Sequence, residues 1–307
     1  MFENESEDDE KSYSKPAIAG ALCGAITRFI CQPLDVIKIR FQLQVEPIQA
    51  NSGASKYTSI PQAVSSMIRE EGVKVLWKGH IPGQALSIIY GTVQFWSYEQ
   101  LNHLSQPVRS FIWPSVVDFS SGTLAGSAAM ILSSPLDVIR TRLIAQDKTR
   151  GYRNMMQAFT EISTMEGTRG LFRGCWTSII QIGPQTGAQF MFYKMFKRFY
   201  GKVSGTNERE LPVLATISAG ALAGLASKII IYPLDLAKKR LQIQEFHIHR
   251  QTFGEHCAAP TLTKCLKNIV IKEGLQGLFK GLAPSVVKSM STTALHFCLY
   301  DEIYKAL

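Results

Sequence analysis

Charged residues are scarce in this 307-residue chain, 19% against 46% hydrophobic, which excludes wholesale disorder. The six cysteines (Cys23, Cys31, Cys175, Cys257, Cys265, Cys298) are scattered and form no CxxC pair. A disulfide framework and a zinc site are therefore not expected, and the cysteines read as small hydrophobes. A Gly-rich phosphate loop, a nucleophile elbow and a catalytic carboxylate pair are all missing, so no enzyme chemistry, cofactor or metal is expected. The opening MFENESEDDEKSYSK lacks the apolar run of a secretory signal and is too acidic for a transit peptide. Uninterrupted apolar runs are few as well, because Arg28, Lys228 and Lys288 sit inside the most apolar segments. A simple hydropathy window therefore undercounts any membrane spans.

Acids are short beyond the N-terminus. The first ten residues hold six acids and no base, leaving 33 bases against 18 acids, +15, in residues 11–307. A basic body points to a phosphate-bearing partner.

The dominant feature is a threefold internal repeat. Pro33-Leu34-Asp35-Val36-Ile37-Lys38-Ile39-Arg40, Pro135-Leu136-Asp137-Val138-Ile139-Arg140-Thr141-Arg142 and Pro233-Leu234-Asp235-Leu236-Ala237-Lys238-Lys239-Arg240 lie 102 and 98 residues apart. Thirteen residues before each proline stands a glycine (Gly20, Gly122, Gly220), with another four further on (Gly24, Gly126, Gly224). Later in each unit come Glu-Gly and aromatic-base-Gly: Glu71-Gly72 with Trp77-Lys78-Gly79, Glu166-Gly167 with Phe172-Arg173-Gly174, and Glu273-Gly274 with Phe279-Lys280-Gly281.

Each unit leads with a long apolar segment (16–45, 114–146, 211–245), continues through a short amphipathic helix, and ends with a second apolar segment (81–104, 175–200, 282–306). GxxxG glycines and mid-helix prolines suit membrane helices and cost stability in soluble ones. The expected fold is an all-α membrane protein of six transmembrane helices in three tandem two-helix repeats. Pseudo-threefold symmetry and short amphipathic matrix helices complete it. The expected boundaries are an acidic disordered tail over 1–15 and repeats over 16–105, 114–201 and 211–307. Loops 40–80, 142–174 and 240–281 hold 17 Lys and Arg against 6 on the opposite side, which places them on the negative side of the membrane.

Each proline motif sets a base three residues after an acid, at one depth around the symmetry axis. Acid–base pairs between neighbouring helices would close a ring. Their net worth is small, because attraction and desolvation nearly cancel, so a bound substrate can open them. Arg28 and Lys228 each lie five residues before a motif proline, about a turn and a half away. Ionisable groups at that depth face water or a ligand. No acid of the spans lies near their level, so an anion is expected there. Gln84, Tyr90, Gln94, Gln181, Gln185 and Gln189 are candidates to read the rest of a ligand. Gly79, Gly174 and Gly281 stand where second helices begin, and a helix N-terminus attracts phosphate.

The triplicated motif, with Glu-Gly and aromatic-base-Gly, resembles the mitochondrial carrier family over residues 16–306. The resemblance implies roles for the matching residues. A matrix gate would pair Asp35 with Arg140, Asp137 with Lys238 and Asp235 with Lys38. Gln42 and Gln242 would brace it, and Ile144 stands where the third brace would be. A weak cytoplasmic gate would use Glu99, Lys197 and Asp301. Substrate contacts would include Leu86, Gln181 and Lys288, with Ile182 beside them, so that Lys288 would join Arg28 and Lys228 in a basic triad, with no acid at its level, that suits several phosphates. Cardiolipin would bind at Lys78-Gly79, Arg173-Gly174 and Lys280-Gly281. Further runs, among them Trp77-Lys78-Gly79-His80-Ile81-Pro82 and Tyr232-Pro233-Leu234-Asp235-Leu236, resemble members that carry a phosphorylated cofactor. They imply import of thiamine pyrophosphate into the matrix in exchange for a (deoxy)nucleotide. Adenine nucleotide or coenzyme A is the alternative substrate. A monomer in the mitochondrial inner membrane, with both termini toward the intermembrane space and no nucleic-acid partner, completes the expectation.

Overall fold

The computed structural model describes residues 2–46, 55–107, 113–147, 151–204, 212–246 and 261–306. Those residues contain helices and no strand. Six long helices dominate, two per repeat: α1 (Phe2–Leu43) and α3 (His80–Leu104), α4 (Pro114–Ala145) and α7 (Cys175–Ser204), α8 (Val213–Gln242) and α10 (Leu282–Ala306). Between the members of each pair lie short helices: α2 (Ile60–Glu71), α5 (Met155–Met165) with α6 (Thr168–Leu171), and α9 (Leu262–Gly277). Helix α1 runs back to Phe2, so the acidic stretch expected to be disordered is helical here. Cys257 lies outside the described residues.

The six long helices form a ring in chain order, closed by α10 against α1. The tightest interfaces join α3 to α4, α7 to α8 and α10 to α1. All three join one repeat to the next. Helices α1, α4 and α8 also touch one another, and Pro135 and Pro233 sit inside the last two.

The molecule is apolar outside and charged inside. Phe95 is 78% exposed, Trp113 81% and Phe190 59%, whereas Arg40, Arg142, Arg240, Asp35 and Asp137 are buried. A soluble bundle has the opposite distribution. Three stretches (Ala19–Leu43, Val116–Ala145, Ala215–Gln242) are long and apolar enough to cross a bilayer. Helices α3, α7 and α10 do not reach that measure, whereas Arg28 and Lys228, expected to interrupt the apolar runs, lie in stretches that do.

The proline-motif ends of the bundle are locked by a device used three times. The last arginine of each proline motif donates from Nε to a backbone carbonyl of another repeat: Arg40 to Ile144 at 3.2 Å, Arg142 to Gln242 at 3.1 Å and Arg240 to Gln42 at 3.1 Å. Its terminal nitrogens grip the glutamate of its own Glu-Gly, as in Arg40–Glu71 (2.5 and 2.9 Å), Arg142–Glu166 and Arg240–Glu273. Bidentate pairing satisfies a guanidinium that has left water. Beneath it, Ile37, Met67, Ile139 and Ile162 belong to one buried apolar cluster joining α1, α2, α4 and α5.

The motif glycines follow from this packing. Gly79, Gly174 and Gly281 have φ of 73°, 76° and 80°, a region that strains any L side chain. A Cβ on them would stand 3.1, 3.1 and 3.2 Å from the backbone carbonyls of Arg140, Lys238 and Lys38, the first bases of the next repeat's proline motif. Gly174→Ala is therefore expected to destabilise the fold by about 1–3 kcal/mol, seen as a lower Tm in detergent. Glu71 yields a pH prediction. Burial pushes its carboxyl up, but hydrogen bonds and charge from Arg40 and Lys78 outweigh that and hold it below its ordinary 4.5. Its contribution is present above pH 4.5 and is lost as pH falls through the lower folded value. Thermal melts across that range should show a fall in stability that Glu71→Gln makes smaller.

Candidate functional site

All three expected matrix-side pairs are in contact. Arg140 reaches Asp35 at 2.5 Å, Lys238 reaches Asp137 at 2.8 Å, and Lys38 reaches Asp235 at 2.7 Å. The helices bring them together because Asp and base share a depth in each repeat and α1, α4 and α8 converge there. The side chains are largely buried, so each charge needs its partner.

The braces differ among repeats. The Gln42 amide donates to Asp235 at 3.2 Å and to the Tyr232 hydroxyl at 3.2 Å. The Gln242 amide donates to Asp137 at 2.8 Å. Ile144 occupies the same slot in the second repeat. Its Cγ1 would be 3.1 Å from a Cβ on Gly79, as the Cγ of Gln42 and of Gln242 would be 3.1 and 3.2 Å from Cβ atoms on Gly281 and Gly174.

Two cations change the expected picture. Lys239, not singled out from the sequence, donates to Asp137 at 2.9 Å, to Thr141 at 3.0 Å and to Gln242 at 3.0 Å. Its extra base beside Lys238 in Lys-Lys-Arg was the available signal. Lys288, expected in a triad with no acid at its level, is paired with Asp35 at 2.5 Å. A lysine stem is long enough to reach from one level to the next, and a half-buried ammonium takes the carboxylate within that reach.

The other two triad members have no carboxylate partner among the described residues. Lys228 donates to the Ser285 carbonyl at 2.8 Å, and Arg28 donates to the Ser87 hydroxyl. Lys228 also lines a cavity of about 860 Å³ that runs along α8 from Asp235 to Ile217. Those residues are eighteen apart, which is about 27 Å of helix. Gln181, Gln185 and Gln189 line its α7 side. Tyr90 and Ile182 meet elsewhere, across Gly126, where a Cβ would stand 3.6 Å from the tyrosine oxygen and 3.3 Å from Ile182 Cγ2. Leu86 and Gln94 are half-buried on α3 and do not line that cavity. At the far end of the bundle Glu99 and Asp301 are exposed and make no ion pair among the described residues. The Lys197 ammonium lies 5.6 Å from the Tyr193 ring centre.

The aromatic-base-Gly bases turn inward. Lys78 pairs with Glu71 at 2.6 Å, Arg173 with Glu166 at 2.8 Å, and Lys280 with Glu273. Their positive charge is thus shared with a carboxylate. Burial lowers the affinity of Lys78 and Lys280 for their protons, and the glutamates only partly offset it. Two surface pockets flank these motifs. One is bounded by Thr58, Ser59, Lys280 and Gly281, the other by Asn154, Arg153, Lys78 and Gly79. Ser59 and Asn154 cap the N-termini of α2 and α5. Each pocket therefore has the N-terminal ends of two helices at its border, an arrangement that favours an anion.

Comparison with known proteins places this geometry. The family described as mitochondrial carrier protein matches residues 9–108, 113–204 and 209–307. A bovine mitochondrial thiamine pyrophosphate carrier is 38% identical over 305 residues, covering 98% of this chain and 95% of its own. A human protein of the same name is 38% identical, with 93% and 89% covered. A maize mitochondrial thiamine diphosphate carrier 2 is 36% identical, with 94% and 92% covered. Three matched repeats, carrying three paired proline motifs around one axis, establish that the chain belongs to the mitochondrial carrier family.

Proposed function

We propose that this carrier imports thiamine pyrophosphate into the mitochondrial matrix, across the inner membrane, in exchange for a (deoxy)nucleotide. The observation that carries the reading is the pair of cations, Arg28 and Lys228, set above the ring without a carboxylate of their own. A diphosphate supplies the missing negative charge. The names of the bovine, human and maize relatives support thiamine pyrophosphate as its bearer. Gln181, Gln185 and Gln189, along one side of the cavity, offer amides to the uncharged part of the ligand.

Alternating access follows from the ring. Asp35, Asp137 and Asp235 with their bases form the matrix gate, braced by Gln42 and Gln242. Glu99, Lys197 and Asp301 form a weaker gate toward the cytoplasm, because two acids and one base cannot make three bridges. Substrate enters the open side, shifts charge at the ring, and leaves toward the matrix as the other end closes. The monomer already contains the whole pathway. Both termini face the intermembrane space, and cardiolipin occupies the helix N-termini at Gly79, Gly174 and Gly281.

Uptake into liposomes tests the proposal. Protein reconstituted with internal ATP should take up labelled thiamine pyrophosphate saturably. Lys228→Ala and Arg28→Ala should each reduce uptake by at least about tenfold, the cost of one lost charge-assisted contact. Uptake of adenine nucleotides or coenzyme A without thiamine pyrophosphate would overturn the substrate and keep the carrier.

A further inference from the structure

The three carboxylates of the ring are not held alike. Asp137 has Lys238, Lys239 and the Gln242 amide, and Asp235 has Lys38 and the Gln42 amide. For Asp35 the equivalent slot holds Ile144, and no glutamine amide reaches the carboxylate among the described residues. Its two oxygens are taken instead by Arg140 and by Lys288, each at 2.5 Å. Only at this carboxylate does a cation from the level of the expected substrate contacts reach down into the ring, among the described residues.

The surroundings of Asp35 are also over-supplied with positive charge. A Cβ on Gly83 would stand 3.1 Å from Arg140 Nε and 3.3 Å from Arg28 Nη2, so the two guanidinium groups flank that glycine. The Nε atoms of Arg28 and of Arg140 are both buried without a hydrogen-bond partner. Arg28, Arg140 and Lys288 thus gather around a single carboxylate. Buried donors left unpaired are costly, and a multivalent anion satisfies them at once.

We infer that Lys288 is a shared cation: without substrate it braces Asp35 in place of the missing glutamine, and the bound diphosphate draws it away. The inference rests on the reading that the substrate is a phosphorylated anion. A diphosphate carries more charge than one carboxylate, so the ammonium follows it. Asp35 then keeps Arg140 alone, itself attracted by the same anion. Binding therefore loosens the α1–α4 link first, while the links at Asp137 and Asp235 still hold their own bases and braces. Substrate recognition and the first step of gate opening meet in one side chain.

Calorimetric titration of the purified full chain with thiamine pyrophosphate and with inorganic pyrophosphate tests this, using wild type, Asp35→Asn, Asp137→Asn and Asp35→Asn/Lys288→Gln. Freed from its carboxylate, Lys288 should tighten both ligands about tenfold in Asp35→Asn, a factor within the ordinary range of coupling between sites. Asp137→Asn should show no such gain, and the double variant should lose it. Ile144→Gln fills a slot that holds glutamine in the other two repeats and leaves every carboxylate intact. It should tighten binding in the same direction, which keeps the test decisive where Asp35→Asn does not fold. Equal changes in Asp35→Asn and Asp137→Asn, or a gain that survives loss of Lys288, would overturn the sharing and leave the substrate reading in place. Wild type that binds inorganic pyrophosphate but not thiamine pyrophosphate would overturn the thiamine reading and leave the sharing to stand on the pyrophosphate data. Failure to bind either would overturn both.

Discussion

A guanidinium removed from water must be met on every side, and the fold is organised around three that are. Arg40, Arg142 and Arg240 each hold the glutamate of their own repeat and a main-chain carbonyl of a different one. Carboxylate and carbonyl approach from different directions, so the arginine fixes both distance and angle between repeats. The close approach of the aromatic-base-Gly glycines to the carbonyls of Arg140, Lys238 and Lys38 then becomes obligatory. So does the depth at which the three aspartates meet their bases.

The two layers at the narrow end have different tasks. The arginine–glutamate layer is static in design, with bidentate geometry and reinforcement by Lys78, Arg173 and Lys280. The aspartate layer above it closes the same helices through separate one-atom contacts rather than forked pairs: Lys38 on Asp235, Lys238 and Lys239 on Asp137, Arg140 and Lys288 on Asp35. Single ion pairs in a partly buried setting have little net worth, whereas breaking a buried bidentate pair is expensive. Under the proposed gating, the transport cycle works against the upper layer without dismantling the local geometry set by the lower one.

Much of this was legible in the residues. Triplicated Pro-x-Asp-x-x-base spacing showed the repeat, the helix count and a ring of acid–base pairs, and the family resemblance supplied which base Asp35, Asp137 and Asp235 each take. What escaped was whatever depends on reach rather than spacing. Lys288 sits at the level expected of a ligand contact, yet its stem carries the charge to Asp35. Lys78, Arg173 and Lys280 sit beside helix-starting glycines, yet their charges turn to Glu71, Glu166 and Glu273. Lys239 is one residue off the motif, and only the twist of α8 shows that it shares Asp137. The second bases of the motif were visible as Arg40, Arg142 and Arg240, but their carbonyl acceptors lie in other repeats, where no local pattern can announce them.

The arginine lock has a consequence for how such a chain comes to exist. No repeat contains the acceptor for its own arginine. Arg40 needs the end of α4, Arg142 the end of α8, and Arg240 the end of α1. A chain emerging from the ribosome can complete the first two as each following helix arrives. The last requires its newest arginine to return to its oldest helix, and the α10–α1 interface closes across the same seam. Assembly therefore finishes with the contacts most distant in sequence, and a nascent chain stopped before the third unit keeps an open circle with a buried donor still waiting. The same logic applies to ancestry: one such unit on its own would have found its missing carbonyl only in copies of itself.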